Sequence, residues 1–568
     1  MARRKKELFS GSQIVIKTLT EQSVTDVFGY PGGAVLGIYD ELYKSRDKIN
    51  HILTAHEQGA SHAADGYSRA TGKVGVVIAT SGPGATNLVT GIATAMLDSV
   101  PMVAITGNVP TFEIGKDSFQ EINITGVTMP ITKHNYFVTD VRELADTIRE
   151  AFRIAKSGRP GPVLVDIPAD VQAAECEFIP AEPVTVLPSP TTEDVDIEKA
   201  VALINAAKRP YIYIGGGALG AGLSDTVKAL AEKIDAYVGC SLMGISALPN
   251  SFKRFLGMQG MHGRYASSMA NKEADLIIGL GVRFSDRATG DKSKYAKDTK
   301  IIQIDADISE INKNVIVDVG IVGDLKDAAE RILALASEAK HPEWSVRIEK
   351  LREGGRKIAK AVDTAAEGVL TPRRIFDVIN AVKAPETIIA TDVGQHQMWT
   401  AQYAKFERTR RLLTSGGLGT MGYGLGAAIG AAVATGERVI LITGDGSFAM
   451  NSNELATAVS CNLPITVVLF NNGALGMVRQ WQTLFNEKRY SSTVLERKTD
   501  FVKLAEAYGA KAERVTSVDE FKAALDTSLS YGGPYLIDAK ISIDEVVLPM
   551  LPPGGSIDDI ITEKEKEE

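Results

Sequence analysis

Short apolar runs alternate with helix-like segments along almost the whole chain. Strands followed by helices in this way are typical of parallel sheets with helices on both faces. The alternation begins near the N-terminus, restarts near residue 211 and restarts again near 387, so the pattern predicts an α/β protein with three doubly wound parallel-sheet domains. The runs that carry this prediction are 49–54, 74–80, 102–106, 211–214, 276–280, 300–304, 387–390, 438–443 and 465–470.

Two stretches break the alternation and predict the domain boundaries. Residues 178–196 carry four prolines among acidic residues and threonines, which suits a linker. Residues 337–371 are charged with a helical period and form a second connector. We therefore expect domains at 1–180, 195–340 and 371–568.

The most informative stretch runs from Gly444 to Asn472. Two apolar runs end in polar clusters, Gly444-Asp445-Gly446 and Asn471-Asn472, with a helix predicted between them at 451–461. In a parallel unit both clusters fall at the carboxyl ends of neighbouring strands, where such sheets bind ligands. Asp445, Asn472 and the backbone carbonyl at Ala474 are oxygen ligands suited to Mg²⁺ beside phosphates, and the two glycines admit a close approach.

Glu57 is the leading candidate for proton chemistry. It follows a predicted strand among small residues, with no lysine or arginine close in sequence. An apolar setting raises a carboxyl pKa, so that the group can hold a proton for a ring nitrogen. The alternative is a solvated glutamate that caps a helix.

Two glycine-rich segments suggest phosphate or dinucleotide contacts. Residues 81–87 have the composition of a phosphate loop but lack its lysine. Gly215, Gly216 and Gly217 follow a strand, and Asp305 and Asp324 follow later ones, as a dinucleotide site needs. The glycine spacing departs from G-x-G-x-x-G, so an alternative is that these glycines only allow close packing of the backbone.

Composition narrows the class of protein. The 568 residues are 44% hydrophobic. Positive and negative residues are well mixed along the chain and sum to −8, which argues against nucleic-acid binding. No apolar run approaches the roughly 18 residues of a membrane span, and Arg3–Lys6 is not followed by a signal-like core. Three scattered cysteines predict thiols in a reducing compartment. We therefore expect a cytoplasmic protein.

Several longer motifs together resemble one enzyme family. They lie at 29–34, 56–60, 80–87, 117–121, 158–163, 281–287, 393–399 and 476–482. With them the chain resembles the catalytic subunits of acetohydroxyacid synthase (acetolactate synthase), which depend on thiamine diphosphate. The last motif separates this family from decarboxylases and oxidases that use the same cofactor.

The resemblance implies an activity. Pyruvate would be decarboxylated on thiamine diphosphate and joined to a second pyruvate or to 2-ketobutyrate, giving 2-acetolactate or 2-aceto-2-hydroxybutyrate. This is the first common step of branched-chain amino-acid biosynthesis. The resemblance also implies Mg²⁺ and FAD as cofactors and 2-keto acids as the small-molecule partners.

Site residues are implied residue by residue. Glu57 would pair with the aminopyrimidine ring, Gln120 and Phe119 would line the substrate entrance, Arg283 would meet the second keto acid, and Trp481 would favour 2-ketobutyrate. The remaining thiamine diphosphate contacts would be Tyr30, Pro83, Asn87, Val393, Gly394, Gln395, His396, Gly419, Met421, Gly444, Gly446 and Met477, with Asp445, Asn472 and Ala474 on the metal. FAD would contact Arg159, Gly215, Gly216, Gly217, His262, Arg283, Asp305 and Asp324.

The family also implies an assembly. Glu57 of one subunit would serve the cofactor held by the last domain of another, so we expect a homodimer or homotetramer, with a separate regulatory small subunit as a further partner. Three departures stand out: Ala169 replaces the usual lysine, Gly426 replaces a proline that stiffens a helix start, and Gly473-Ala474 replaces bulkier residues.

Two alternatives stay open at this point. One is a catabolic acetolactate synthase that works without FAD. The other is a non-catalytic paralogue that keeps the fold as a scaffold or regulatory binding protein.

Overall fold

A computed structural model describes residues 7–563. The basic run at 3–6 and the last five residues of the acidic tail lie outside the described residues. Three six-stranded parallel sheets and one two-stranded antiparallel pair are present in the described part of the chain. The prediction of three doubly wound parallel-sheet domains is confirmed.

The first sheet has the strand order β3-β2-β4-β5-β7-β6, and the antiparallel pair β1-β8 lies beside it. Its strands are β1 Leu8–Ser10, β2 Asp26–Tyr30, β3 Asn50–Leu53, β4 Gly75–Ala79, β5 Met102–Asn108, β6 His134–Phe137, β7 Pro162–Pro168 and β8 Glu175–Glu177. The helices are α1 Gly11–Glu21, α2 Leu36–Lys44, α3 Glu57–Thr71, α4 Pro83–Asn87, α5 Val89–Asp98, α6 Ile124–Thr128, α7 Val141–Lys156 and α8 Ala169–Ala173.

The middle sheet has the order β11-β10-β9-β12-β13-β14. Its strands are β9 Pro210–Ile214, β10 Tyr237–Cys240, β11 Phe255–Met258, β12 Leu276–Leu280, β13 Lys300–Asp305 and β14 Val319–Val322. The helices are α9 Asp194–Ala206, α10 Gly216–Gly220, α11 Ser224–Lys233, α12 Tyr265–Glu273, α13 Asp286–Thr289, α14 Leu325–Leu335 and α15 Pro342–Val362.

The last sheet has the order β16-β15-β17-β18-β20-β19. Its strands are β15 Ile388–Thr391, β16 Leu412–Leu413, β17 Val439–Gly444, β18 Ile465–Asn471, β19 Lys511–Val515 and β20 Tyr535–Lys540. The helices are α16 Pro372–Val382, α17 Gln395–Tyr403, α18 Tyr423–Thr435, α19 Asp445–Asn451, α20 Glu454–Ser460, α21 Gly476–Phe485, α22 Phe501–Ala507 and α23 Val518–Ser530.

The predicted helix at 451–461 is wrong in its start and its continuity. Helix α19 begins at Asp445 itself, where a carboxylate in the first turn is favoured by the helix dipole. The chain then tightens before α20, because Leu455 and Ala456 donate to carbonyls only three residues back. Asp445 therefore stands at a helix start rather than in a loop.

Each sheet reverses its strand order at an inner point, and open α/β sheets bind ligands at such points. The reversal lies between β2 and β4, between β9 and β12, and between β15 and β17. The glycine-rich segments 81–87, 215–217 and 444–446 follow strands of these pairs, β4, β9 and β17, whereas Asp305, Asp324 and Asn472 lie at or just after the ends of strands farther along their sheets. Their placement comes from strand order, which the sequence pattern did not predict.

Helices α3 and α18 join the first and last sheets. Backbones approach closely here, since a Cβ on Gly66 would lie 2.2 Å from the Ala427 carbonyl oxygen and one on Gly430 only 1.8 Å from that of Ala63. Apolar side chains of both domains share one buried cluster around this contact. None of the helices within 7–563 is both long and apolar enough to span a bilayer.

Candidate cofactor and active site

The loops after β17 and β18 meet through Asp445. The Gly473 N–H donates to Asp445 Oδ2 at 2.9 Å, and the Ala474 N–H donates to Asn472 Oδ1 at 3.1 Å. Asp445 is buried, and burial raises its pKa to about 6 although backbone N–H groups act in the opposite direction. A divalent cation would offset that burial cost, because it favours the ionised carboxylate.

The start of α17, after β15, supplies a buried histidine beside Gly444, the residue before this carboxylate. His396 is 6% exposed, burial lowers its pKa to about 3, and its Nε2 has no hydrogen-bond partner. A Cβ at Gly444 would lie 3.0 Å from His396 Nδ1, so glycine leaves room for the ring. Gln395 Nε2 donates to Gln480 Oε1 at 2.9 Å and so ties the loop to α21. The unpaired Nε2 of His396 is suited to bind a phosphate group, which a metal ion would link to Asp445.

The segment before α18 approaches the same place. Gly419 has a φ of +71°, which favours glycine, and the position of its missing Cβ is 3.9 Å from Val393. Met421 Cε lies 3.8 Å from the corresponding position on Gly446. Met477 stands in the first turn of α21, half-buried. The structure thus brings Gly419 close to Val393 and Met421 close to Gly446 within the last domain.

Glu57 lies in a second group, within the first domain. It begins α3, is half-buried, and accepts a hydrogen bond from Asn87 Nδ2 at 2.9 Å. The helix cap is His56, whose ring accepts from the Gln58 N–H, so the capping role is not taken by Glu57. Pro83 is the first residue of α4 and directly precedes Gly84. A side chain on Gly84 would crowd the Glu57 carboxylate.

The predicted substrate entrance adjoins this second group. Gly82 packs against the backbone of Gln120, which has a φ of +60°, and Phe119 is 87% exposed. Tyr30 is also exposed, at the end of β2. Within 7–563 no hydrogen bond or ion pair joins Glu57 or Asn87 to the Asp445 group. The two groups belong to different domains, Glu57 to α3 of the first and Asp445 to α19 of the last.

Trp481 contacts an arginine that the sequence reasoning missed. The Arg287 guanidinium lies 5.8 Å from the centre of the Trp481 ring, whereas the backbone carbonyl of Arg283 accepts from Asn314 Nδ2 at 3.0 Å. The indole rests on Leu548 and Met550 with its N–H buried and unpaired. Arg287 was within the motif at 281–287, but the two arginines could not be told apart there.

The middle-domain candidates divide into two kinds. Gly215 and Gly217 let their loop touch the Gly281 loop at the reversal of the sheet, with Gly217 N–H donating to Gly281 O at 3.1 Å. Gly216 approaches Met243. Asp305 is buried with its pKa raised to about 6 by burial. These residues fit a dinucleotide crevice.

The other middle-domain candidates are partly committed to the protein itself. Arg159 bonds Glu310 at 2.7 Å and Ser99 at 2.8 Å, and Asp324 caps α14. His262 is buried with an unpaired Nδ1, and burial lowers its pKa to about 4. Only His262 of these three keeps a buried polar atom without a partner.

Three family models match successive parts of the chain. They describe the thiamine pyrophosphate enzymes: the N-terminal TPP binding domain at 9–127, the central domain at 197–332 and the C-terminal TPP binding domain at 392–539. Each match falls on one of the three sheets described above.

Full-length relatives carry a consistent description. A probable acetolactate synthase large subunit of Methanocaldococcus jannaschii is 47% identical, covering 97% of this chain and 95% of the relative. The acetolactate synthase large subunit of Corynebacterium glutamicum is 46% identical, over 98% of this chain and 90% of the relative. The isozyme 2 large subunit of Escherichia coli is 44% identical, over 96% and 98%.

Proposed function

The chain belongs to the thiamine pyrophosphate enzymes, within the family of acetolactate synthase large subunits, and on that premise we propose how its residues carry out this reaction. The substrates are pyruvate and a second 2-keto acid, pyruvate or 2-ketobutyrate. The observation that carries the proposal is the meeting of Asp445 with the loop after β18, on a chain that aligns with these synthases almost end to end.

Asp445, Asn472 and the Ala474 carbonyl would hold Mg²⁺. That ion would anchor the diphosphate in the crevice formed by residues 393–396 and the start of α19. Gly419 and Met477 would hold the pyrimidine ring, with Met421 beneath the cofactor. When bound, thiamine diphosphate supplies the electron sink for decarboxylation and carbon–carbon bond formation.

Glu57 would hold a proton at the pyrimidine ring nitrogen. A carboxyl group positioned by Asn87 can donate and accept that proton repeatedly, which is general acid–base catalysis. The metal ligands lie in the last domain and Glu57 in the first, and Glu57 of one subunit would act on cofactor held by another, as the family resemblance implies. A homodimer is then the minimum active unit, and exposed Phe119 near Gln120 would be covered within it.

We assign the second keto acid's carboxylate to Arg287 rather than Arg283. A guanidinium forms paired hydrogen bonds to a carboxylate, and only Arg287 lies over the Trp481 ring that would select the larger acceptor. Gln120 would stand at the entrance. The cofactor and the entrance come from different half-sites, consistent with an active site closed between subunits.

FAD binding and a small-subunit partner form the outer part of the proposal. Asp305 and the Gly215–Gly217 crevice fit a dinucleotide, and His262 has a free buried nitrogen. Relatives are described as large subunits, which points to a separate small subunit. A yellow flavin spectrum would favour this over the FAD-independent catabolic synthase, and co-purification with a small subunit would test the other expectation.

The test is an acetolactate assay on the purified full chain with pyruvate, thiamine diphosphate and Mg²⁺. We expect product with the wild type and a loss of at least about 100-fold with Glu57→Gln, the usual scale for losing a general acid–base group. Adding 2-ketobutyrate in competition measures acceptor choice. No product from well-folded protein with bound thiamine diphosphate would instead support a non-catalytic paralogue.

A further inference from the structure

Glu454 is a buried carboxylate that the reaction scheme above does not use. It is 0% exposed, stands in the first turn of α20, and takes part in no salt bridge within the described part of the chain. Burying an unpaired carboxylate is costly, so its hydrogen bonds must compensate. Two of those bonds come from the first domain.

The carboxylate of Glu454 holds the backbone just before Glu57. Oε1 accepts from the His56 N–H at 2.9 Å and Oε2 from the Ala55 N–H at 3.2 Å, while Thr457 Oγ1 donates to Oε2 at 2.7 Å. Both oxygens are thus engaged, and each has one backbone donor from the first domain. The peptide that leads into Glu57 is fixed at two points by the last domain.

Gly59 makes this contact possible. A Cβ on Gly59 would lie 2.0 Å from Glu454 Oε1, so replacing this glycine by any other residue would displace the carboxylate. The glycine and the glutamate lie 395 positions apart and fit each other. The geometry points to Glu454 as a positioning residue for Glu57, which sets the direction of the Glu57 carboxylate without touching substrate or cofactor.

This inference rests on the proposed function, and it has a consequence specific to shared sites. Glu454 belongs to the same domain as Asp445, yet it positions the Glu57 that serves the partner's cofactor. Its loss therefore impairs the site built on the other chain's Asp445. A purely local role for α20 would impair the site on its own chain instead.

The first experiment compares Glu454→Gln with wild type. In glutamine one oxygen becomes an NH₂ group that faces a donor, so the 55–57 backbone must shift. We expect kcat and the hydrogen–deuterium exchange rate of the bound cofactor's C2 proton to fall at least about tenfold, because small misplacements of reacting groups are that costly. The affinity for thiamine diphosphate, measured by fluorescence quenching, should change less than about threefold.

Asp235→Asn is the matched control. Asp235 is also a buried carboxylate that accepts from a backbone N–H, that of His341, but lies in the middle domain. It should lower stability and leave C2 exchange unchanged. If both variants lose stability and exchange to the same extent, Glu454 is only structural. Should Glu454→Gln not fold, Thr457→Val, which removes one donor to the carboxylate, is expected to slow exchange about two- to fivefold.

The second experiment uses dimers purified with two different tags. Combining Glu57→Gln and Asp445→Asn subunits leaves one intact site, so about half the wild-type rate is expected from a symmetric dimer. Combining Glu454→Gln and Asp445→Asn should recover the same half. Failure of the first pair overturns the shared site of the proposed function. Recovery in the first pair but not in the second overturns the assignment of Glu454.

Discussion

The contact between α3 and α18 gives the sharpest structural prediction, through Gly430→Ala. A Cβ at this position would lie 1.8 Å from the Ala63 carbonyl oxygen, whereas real Cβ contacts essentially never fall under 3.0 Å. The helices would have to separate by the difference, 3.0 − 1.8 = 1.2 Å. The neighbouring Gly66 contact, 2.2 Å from Ala427 O, would be lost with it.

Two opposing effects set the size of the change. Alanine is favoured over glycine inside a helix by about 1 kcal/mol. Overpacking a well-packed contact costs about 1–3 kcal/mol or more, and this clash is backbone against Cβ, which no rotamer change can relieve. We expect a net loss of about 2 kcal/mol in the free energy of unfolding, and a lower rate because α3 carries Glu57.

The assay is urea denaturation followed by tryptophan fluorescence, with Gly220→Ala as control. Gly220 is also helical, but nothing lies within 4 Å of its missing Cβ. Its replacement should leave stability unchanged or raise it by up to about 1 kcal/mol. If Gly430→Ala behaved like Gly220→Ala, the two helices would not be in close backbone contact and the coupling of the domains would be wrong.

Three further predictions concern charge and specificity. Burial lowers the pKa of His62 to about 3, so unfolding lets this histidine take up a proton below its ordinary pKa near 6.5, and its contribution to stability falls by about 1.4 kcal/mol per pH unit as the pH drops towards 3. Burial shifts the pKa values of His396 and His262 in the same direction, so His62→Gln should lower the slope measured in urea titrations by this one-proton share. Arg287→Gln should raise KM for the acceptor keto acid about tenfold, whereas Arg283→Gln at saturating FAD should leave that KM unchanged. Asp445→Asn should weaken Mg²⁺ binding at least about tenfold by calorimetry, without loss of folding.

The fold could be predicted because its strands are buried on both faces. Parallel strands of this kind appear as continuous apolar runs, and β12 at Leu276–Leu280 has the bounds predicted from its run. Glu57, Asp445 and Asn472 could be selected because each follows such a run. What the sequence could not provide was the strand order, which brings separate loops to one point of reversal.

Finer positions depended on tertiary contacts. Arg283 and Arg287 are four residues apart with a turn at Phe284, where φ is +47°, between them, and the guanidinium of Arg287 is the one that lies over Trp481. Gly426 seemed to be a less rigid substitute for proline, but its missing Cβ would lie 2.7 Å from His62 Cβ in the α3–α18 contact. A glycine's role is read from its neighbours in space, which lie far away in sequence.

The same contact bears on the proposal of a site shared between chains. Moving Glu57 to Asp445 would require α3 to leave α18, where the Tyr423 O–H donates to the buried Asp65 carboxylate at 2.6 Å. Leaving such a buried carboxylate without one of its donors costs about 1–3 kcal/mol. A second chain can supply the missing half-site without that cost, so activity should fall together with dimer content when the protein is diluted and followed by sedimentation. Full activity in a monomer would contradict this reasoning.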